Sequence, residues 1–357
     1  MQFLYKKRFM YATSQPDLLK LSLYSIAFLF LSGFFIPKAQ AQDIHYSQFH
    51  NPVLTLNPGK TGIFNGDKRL LFSYRDQWSS VPVAWKTFSA SYDQKFYPKR
   101  PSRHFFSGGV SFNYDRQGDS ELNLANLNLF GSYSKILNDQ NIFTIGVGLG
   151  FATRGFNTTN LTWDSQWTGS LFDPNLPSGE LFDAERISFF ENSLGVNYRW
   201  QKSSRNHLDL GIGVYHLIEP GVAFFETDDI NLPRRFNGSA IYTTPLTEKL
   251  DLQLNVLGQL QNEYSELLGS ALVKFYLNQD KRGKEFKLHV GVGYRTSKSW
   301  FPIIALEFSE RYYVSFNLER DVSAFQADTN GKAGFEAHFR YIITNVKPVK
   351  LKLCPIY

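Results

Sequence analysis

Residues 141–154 read Asn-Ile-Phe-Thr-Ile-Gly-Val-Gly-Leu-Gly-Phe-Ala-Thr-Arg. Phe143, Ile145, Val147, Leu149 and Phe151 fall on one side of an extended chain, with Thr144, Gly146, Gly148 and Gly150 on the other. A period of two marks a strand with unlike faces. The pattern recurs downstream. Leu208, Leu210, Ile212 and Val214 oppose Asp209, Gly211, Gly213 and Tyr215. Leu250, Leu252, Leu254 and Val256 oppose Asp251, Gln253 and Asn255. Phe286, Leu288, Val290 and Val292 oppose Lys287, His289, Gly291 and Gly293, and Phe335, Ala337, Phe339 and Tyr341 oppose Glu336, His338 and Arg340.

Alternation alone also suits a soluble sandwich. Three features favour a membrane barrel. The segments run about 10–14 residues, longer than the usual soluble strand and long enough to cross a bilayer when tilted. Tyr74, Tyr92, Tyr114, Tyr133, Tyr198, Trp200, Tyr294 and Tyr312 lie toward the ends of the apolar faces, as interfacial girdles do. The opposite faces carry charges and glycines, which a dry core does not tolerate unpaired. The reading is all-β: a transmembrane antiparallel β-barrel of about 14 strands, with an irregular N-terminal segment. The strands are expected at 68–76, 84–95, 103–115, 122–134, 141–154, 187–200, 205–216, 235–246, 249–260, 263–277, 285–296, 299–309, 311–320 and 330–345. An even count permits closure, and closure pairs every backbone group in lipid.

The start of the chain reads as an address. Lys6, Lys7, Arg8 and Lys20 precede the apolar run Leu21 to Ile36, and Ala39-Gln40-Ala41 follows. A basic region, an apolar stretch and a small-residue site predict a signal peptide over 1–41 with cleavage after Ala41. No cysteine follows the apolar run, so a lipoprotein is excluded. The 357 residues carry a formal charge of +6, but five of the basic residues and only one acid lie within 1–41. The remainder is nearly neutral, without the clustered basic surface that a nucleic-acid footprint needs. The single cysteine, Cys354, excludes a disulfide framework and a cysteine-rich metal site.

No chemistry of catalysis stands out. The Gly-x-Gly pairs lie inside alternating strands rather than at a strand-to-helix turn, so they carry no dinucleotide fingerprint. On the inner phase they leave room or permit curvature. By this reading, Val147→Arg on the lipid face is far more disruptive than Gly148→Ser. The seven histidines show no metal-helix spacing. No catalytic, cofactor or metal residue is assigned, and no cofactor is expected. A Ser–His pair meeting inside the barrel is the only route to an enzyme.

Residues 42–67 carry Pro52, Pro58 and several Asn and Gly, too irregular for a spanning strand. They stay periplasmic or fold into the lumen, where Gln48, Asn51 and Asn57 are expected to bond inward-facing polar groups. Arg75, Asp93, Arg295, Glu307, Glu319, Glu336 and Arg340 fall on polar phases, as do Asp209, Asp251 and Lys287. They form a bracing network or grip a partner. Arg75, Asp76, Gln77 and Trp78 are expected near the rim, joined with Pro82 in an ordered loop. With a periplasmic N-terminus, the long connections 155–186 and 217–234 face outward and short ones such as 201–204 face inward. The end, 346–357, reads as a periplasmic tail.

The segment Gln42 to Gln94 resembles the start of PorP/SprF-family outer-membrane proteins of type IX secretion in Bacteroidetes. The resemblance rests on Ser47-Gln48-Phe49, Asn51-Pro52, Leu56-Asn57-Pro58, Gly62, Tyr74-Arg75-Asp76-Gln77-Trp78, Pro82, and Thr87 through Ser91-Tyr92-Asp93. The ending Cys354-Pro355-Ile356-Tyr357 is similar too, though Ile-Tyr replaces a more usual Arg-Phe-like pair. Gly59 stands where the family usually has Ala. The resemblance implies a non-enzymatic accessory barrel in the outer membrane of a Gram-negative bacterium. Its implied partners are an exported adhesin-like surface protein with its own C-terminal sorting domain, and other type IX secretion or gliding components. A small-solute pore and an outer-membrane enzyme are the alternatives.

Overall fold

The computed structural model describes residues 43–344 apart from 79–83, 100–101, 160, 181–182, 226–229, 279–284, 324–325 and 327–330. The expected signal peptide, the tail 346–357 with Cys354, and Pro82 lie outside the described residues. Fourteen antiparallel strands form one closed barrel, each pairing with the next and the last with the first. They are β1 Lys68–Gln77, β2 Trp85–Phe96, β3 His104–Gln117, β4 Leu122–Asn138, β5 Asn141–Gly155, β6 Arg186–Ser203 and β7 Asn206–Tyr215. They continue as β8 Arg235–Thr247, β9 Leu250–Gln261, β10 Tyr264–Asn278, β11 Phe286–Arg295, β12 Ser299–Phe308, β13 Tyr312–Asp321 and β14 Lys332–Ile343. Each matches one segment expected from the alternation. The seam runs from Lys68↔Ile343 to Gln77↔Gly334, so no edge is left open. Among the described residues no helix is long and apolar enough to cross a membrane.

The two faces divide as the alternation requires. On β5, Leu149 is 67% exposed while Thr144 is 0% exposed. Phe72, Ile145, Ile212, Val292, Ile304 and Leu318 are likewise exposed, forming the apolar exterior. Ser111, Asn197, Asp251, His289 and Glu336 are buried in the interior.

Long connections gather at one end: 156–185, 216–234 and 322–331. The opposite end carries the shorter 139–140, 204–205, 248–249 and 309–311. Residues 43–67 lie inside the barrel. Asp43 meets Arg235, at the long-loop end of β8. Asp67 N–H donates to Ile343 at the short-turn end. The segment therefore threads the lumen lengthwise before β1 begins. Of the two placements expected for this segment, residues 43–67 take the lumenal one, with Asp43 at the end opposite the start of β1. Residues 43–67 must run down the lumen because the strand they feed starts at its far end.

The inward glycines need correction. A Cβ on Gly148 would come 2.3 Å from Ser193 Oγ and 2.8 Å from Phe130 Cε1. The inner phase here is filled, not spare. Val147→Arg, on the lipid side, is expected to destabilise by about 2–4 kcal/mol. Gly148→Ser is expected to cost about 1–3 kcal/mol through overpacking, closer to the Val147→Arg cost than alternation alone suggests. Gly238→Ala, on the outward phase beside Phe236 and with no atom within 4 Å of the new Cβ, should be neutral. Urea unfolding of the barrel refolded into vesicles checks all three.

Candidate functional site

The lumenal segment is held at three levels. At the long-loop end, Asp43 Oδ2 lies 2.9 Å from Arg235 Nη1 and 2.8 Å from His216 Nε2. Arg235 also donates to the carbonyls of Ile44 at 3.2 Å and Thr55 at 2.9 Å. One guanidinium thus ties two separate parts of the segment to β8. Burial pushes the Asp43 carboxyl up, but Arg235 and His216 outweigh it and hold it well below its ordinary value. Glu191 of β6 stands behind the pair, 3.9 Å from His216 Nδ1. Burial, with the charges of Arg75 and Arg295, keeps His45 far below the usual imidazole range and so neutral.

The middle level is a charge network. Arg75 Nη2 bonds Glu319 at 2.9 Å and its Nε lies 3.3 Å from Glu336. Arg295 pairs with Glu266 and, at 3.2 Å, with Glu319. Two guanidiniums therefore serve three carboxylates. The lumenal segment supplies the missing donors: Ser47 N–H donates to Glu336 at 2.7 Å and Gln48 N–H at 3.0 Å. Ser47 Oγ donates to Glu319 at 3.1 Å and accepts from Arg295 at 2.9 Å. Gln48 Nε2 donates to Asn317 at 2.6 Å, and Asn51 Nδ2 to Ser315 at 3.3 Å. Beside this network, Phe49 fills an apolar patch of Leu257, Leu268, Leu272, Phe301 and Ile303.

The third level is a seat for backbone. Asn57 caps the 3-10 turn Pro58–Lys60, accepting from Gly59 N–H at 2.7 Å. Its Nδ2 donates to the Val196 carbonyl at 2.9 Å. The turn presses on glycines of three neighbouring strands. A Cβ on Gly146 would meet the Pro58 carbonyl at 2.2 Å, on Gly195 Asn57 Oδ1 at 2.0 Å, and on Gly213 the Leu56 carbonyl at 2.2 Å. Gly59 is matched to this seat, since its own Cβ would lie 2.9 Å from Val196 C. Below, Asp93 binds Arg69 at 2.7 Å and accepts from Gly62 N–H at 2.8 Å. Lys95 Nζ donates to the Phe64 carbonyl at 2.6 Å.

A motif-bearing segment plugging a closed antiparallel barrel with an apolar exterior narrows the relatives. The family described as "Type IX secretion system membrane protein PorP/SprF" matches residues 38–341. The chain belongs to the PorP/SprF family. No curated protein matches it. Among solved structures, the Ralstonia pickettii toluene transporter TbuX is similar, with 8% identity, a TM-score of 0.46 and coverage of 82% of this chain and 93% of its own. A Pseudomonas aeruginosa FadL homologue has 11% identity, a TM-score of 0.46 and coverage of 80% and 91%. BamA from Haemophilus ducreyi lacking POTRA domains 1–3 has 10% identity, a TM-score of 0.43 and coverage of 78% and 70%.

In this PorP/SprF barrel, Arg75, Arg295, Glu319 and Glu336 meet in the middle network. Asp93 belongs to the lower level. Glu307 and Arg340 stand apart, paired with each other at 3.1 Å on the short-turn side. Arg75 does not join a rim loop with its neighbours. It turns into the lumen and donates to the His45 carbonyl at 2.8 Å. Asp76 takes the opposite phase of β1. Gln77 ends the strand, and Trp78, with φ of 55°, packs edge-on against Trp85 at 5.0 Å. Sequence reasoning missed Asp43, Ser47, Arg235 and Glu266. It also missed the inward apolar patch, whose signal was Leu257, an apolar residue on the polar phase. Among the described residues no group of three His, Cys, Asp or Glu is placed to hold a metal.

Gly195→Val should expel the turn while sparing the barrel: the protein stays heat-modifiable on gels but conducts in planar bilayers. Asp43→Asn leaves Arg235 without its carboxylate. Breaking a buried pair costs about 3–5 kcal/mol, read as faster limited proteolysis of residues 43–67. The lowered Asp43 value also sets a pH dependence. Its stabilisation is present above the ordinary 3.8 and is lost only as pH falls through the lower folded value. Proteolytic protection is therefore expected to be the same at pH 7 and pH 5.

Proposed function

We propose that this PorP/SprF-family barrel is a plugged outer-membrane platform of type IX secretion. It supports export or surface anchoring of a partner protein that carries its own C-terminal sorting domain. It works with other secretion components, including gliding components where the organism glides. The observation that carries this reading is the filled lumen. Ser47, Gln48, Phe49, Leu54 and Asn57 are each at most 1% exposed, so the segment occupies the cross-section that a solute would need. Long loops face outward in such barrels. In that orientation the connection 156–185 presents Trp167, Leu171 and Phe172, all exposed, to the cell exterior, where a partner would be held.

The filled lumen also weighs against the two alternatives. A solute pore needs a continuous aqueous path. An enzyme needs room beside its nucleophile. Ser73 Oγ does lie 2.8 Å from His338 Nδ1, and His338 Nε2 lies 3.3 Å from Glu336. The cavity at Ser73 is about 10 Å³, room for one water at most, so no substrate fits beside the hydroxyl. Tyr46 stacks edge-on over the His338 ring at 5.6 Å. The trio is better read as support for the plug.

Purified protein in planar bilayers should be nearly silent, and a large steady conductance overturns the platform reading. Affinity purification from outer membranes in mild detergent should bring down an exported surface protein or a secretion component. Deleting the gene should remove one large surface protein and leave the outer membrane intact. Ser73→Ala should leave that surface display unchanged, whereas an enzyme would lose its function.

A further inference from the structure

Below the glycine seat, the short-turn end of the lumen keeps a cavity of about 180 Å³. Its wall includes Lys60 from the plug, Arg199 from β6, Lys274 from β10, Lys287 from β11 and Arg340 from β14. Three of these cations are neutralised by the barrel itself. Arg199 pairs with Asp209 at 2.6 Å, Lys287 with Glu307 at 3.2 Å, and Arg340 with Glu307 at 3.1 Å. Lys60 and Lys274 differ. Among the described residues neither has a carboxylate oxygen within 4.0 Å.

Lys60 is the sharper case. It is 3% exposed, and its Nζ is buried with no hydrogen-bond partner among the described residues. A buried ammonium without a partner is costly. Nearby, both ring nitrogens of His50 and Nδ1 of His207 are also buried and unbonded among the described residues, and both rings line the cavity. Lys60 Nζ and the imidazoles of His50 and His207 thus face one space, and the carboxylates sharing its wall are already engaged: Asp209 by Arg199, Asp251 by Arg205, Glu307 by Lys287 and Arg340, and Glu310 by Lys287.

We propose that this cavity binds a phosphate-class oxyanion at Lys60 and Lys274, with the one ring N–H of His50, and that of His207 in its Nδ1–H tautomer, as further donors. Size agrees: about 10–15 Å³ of such space holds one water, so the cavity has room for one oxyanion with several waters. The donor set favours phosphate over carboxylate. Lysine binds phosphate as a point charge, whereas the fork of arginine matches a planar carboxylate, and the arginines here are already taken. Burial, opposed by Asp209 and reinforced by Arg199 and Arg69, lowers Lys60 to about 8, which leaves it charged at neutral pH. The ion is either free phosphate or the headgroup of a lipid reaching in at the short-turn mouth. That this mouth opens to the periplasm rests on the orientation proposed above; binding in detergent tests the site without it.

The test is calorimetric titration of the purified full-length barrel, in phosphate-free detergent, with inorganic phosphate, with dihexanoyl phosphatidylglycerol and with acetate. Saturable binding of either phosphate probe is expected, weakened at least tenfold in Lys60→Met. Lys60→Met itself should unfold no earlier than wild type, because it removes a charge that holds nothing. Binding of inorganic phosphate assigns the free ion, and binding of the lipid alone assigns the headgroup; both support the site. The proposal is overturned by absence of binding in wild type, by undiminished binding in Lys60→Met, or by acetate binding as tightly as phosphate. If Lys60→Met does not form a heat-modifiable barrel, Lys274→Met replaces it, and undiminished binding there is equally decisive.

Discussion

The N–H groups of Ser47 and Gln48 both point at the carboxylate of Glu336. Around it, Arg75 and Arg295 also serve Glu319 and Glu266. A cluster with more carboxylates than guanidiniums is unstable in a site that water does not reach. The segment's backbone supplies what the barrel wall lacks. The dependence is mutual: an irregular stretch with prolines cannot satisfy its own donors, and the wall offers them acceptors. The plug is thus part of the barrel's own electrostatics rather than an insert that happens to fit.

Shape completes what charge begins. Apolar contacts alone would let the segment slide, because dispersion is weak in each contact and not directional. The glycine seat removes that freedom. Gly146, Gly195 and Gly213 let the Leu56-Asn57-Pro58-Gly59 backbone approach where any side chain would collide. Asn57 converts this closeness into directed hydrogen bonds. Phe49, in its patch of leucines and Phe301, anchors the upper part of the same path. Clamp, network and seat sit at successive depths, so the segment is located along the whole axis.

A barrel built in this way is rigid inside and open to contact at its long loops. The chain spends its polar interior on holding itself shut. Such an interior suits a component that presents a surface to other proteins better than one that passes solutes. The remaining space lies at the two mouths. At the short-turn mouth it is lined by charge that the fold does not neutralise.

The alternation of Phe143 to Phe151 and its repeats was enough to place all fourteen strands, because a strand wetted by hydrocarbon on one side must alternate. The same logic put Arg75, Glu319 and Glu336 on the inner phase. Local pattern could not say which of them meet, since Arg75 and Glu336 pair across the seam between the first and last strands. Nor could it tell that the inward glycines are seated rather than spare: Gly146, Gly195 and Gly213 lie on the polar phase, yet a Cβ on any of them would meet the lumenal segment. The direction in which residues 43–67 thread the lumen belongs to the tertiary structure as well. It depends on Asp43 finding Arg235, residues far apart in the chain. Periodicity records which medium touches each side chain; contacts between distant strands are decided only when the sheet closes.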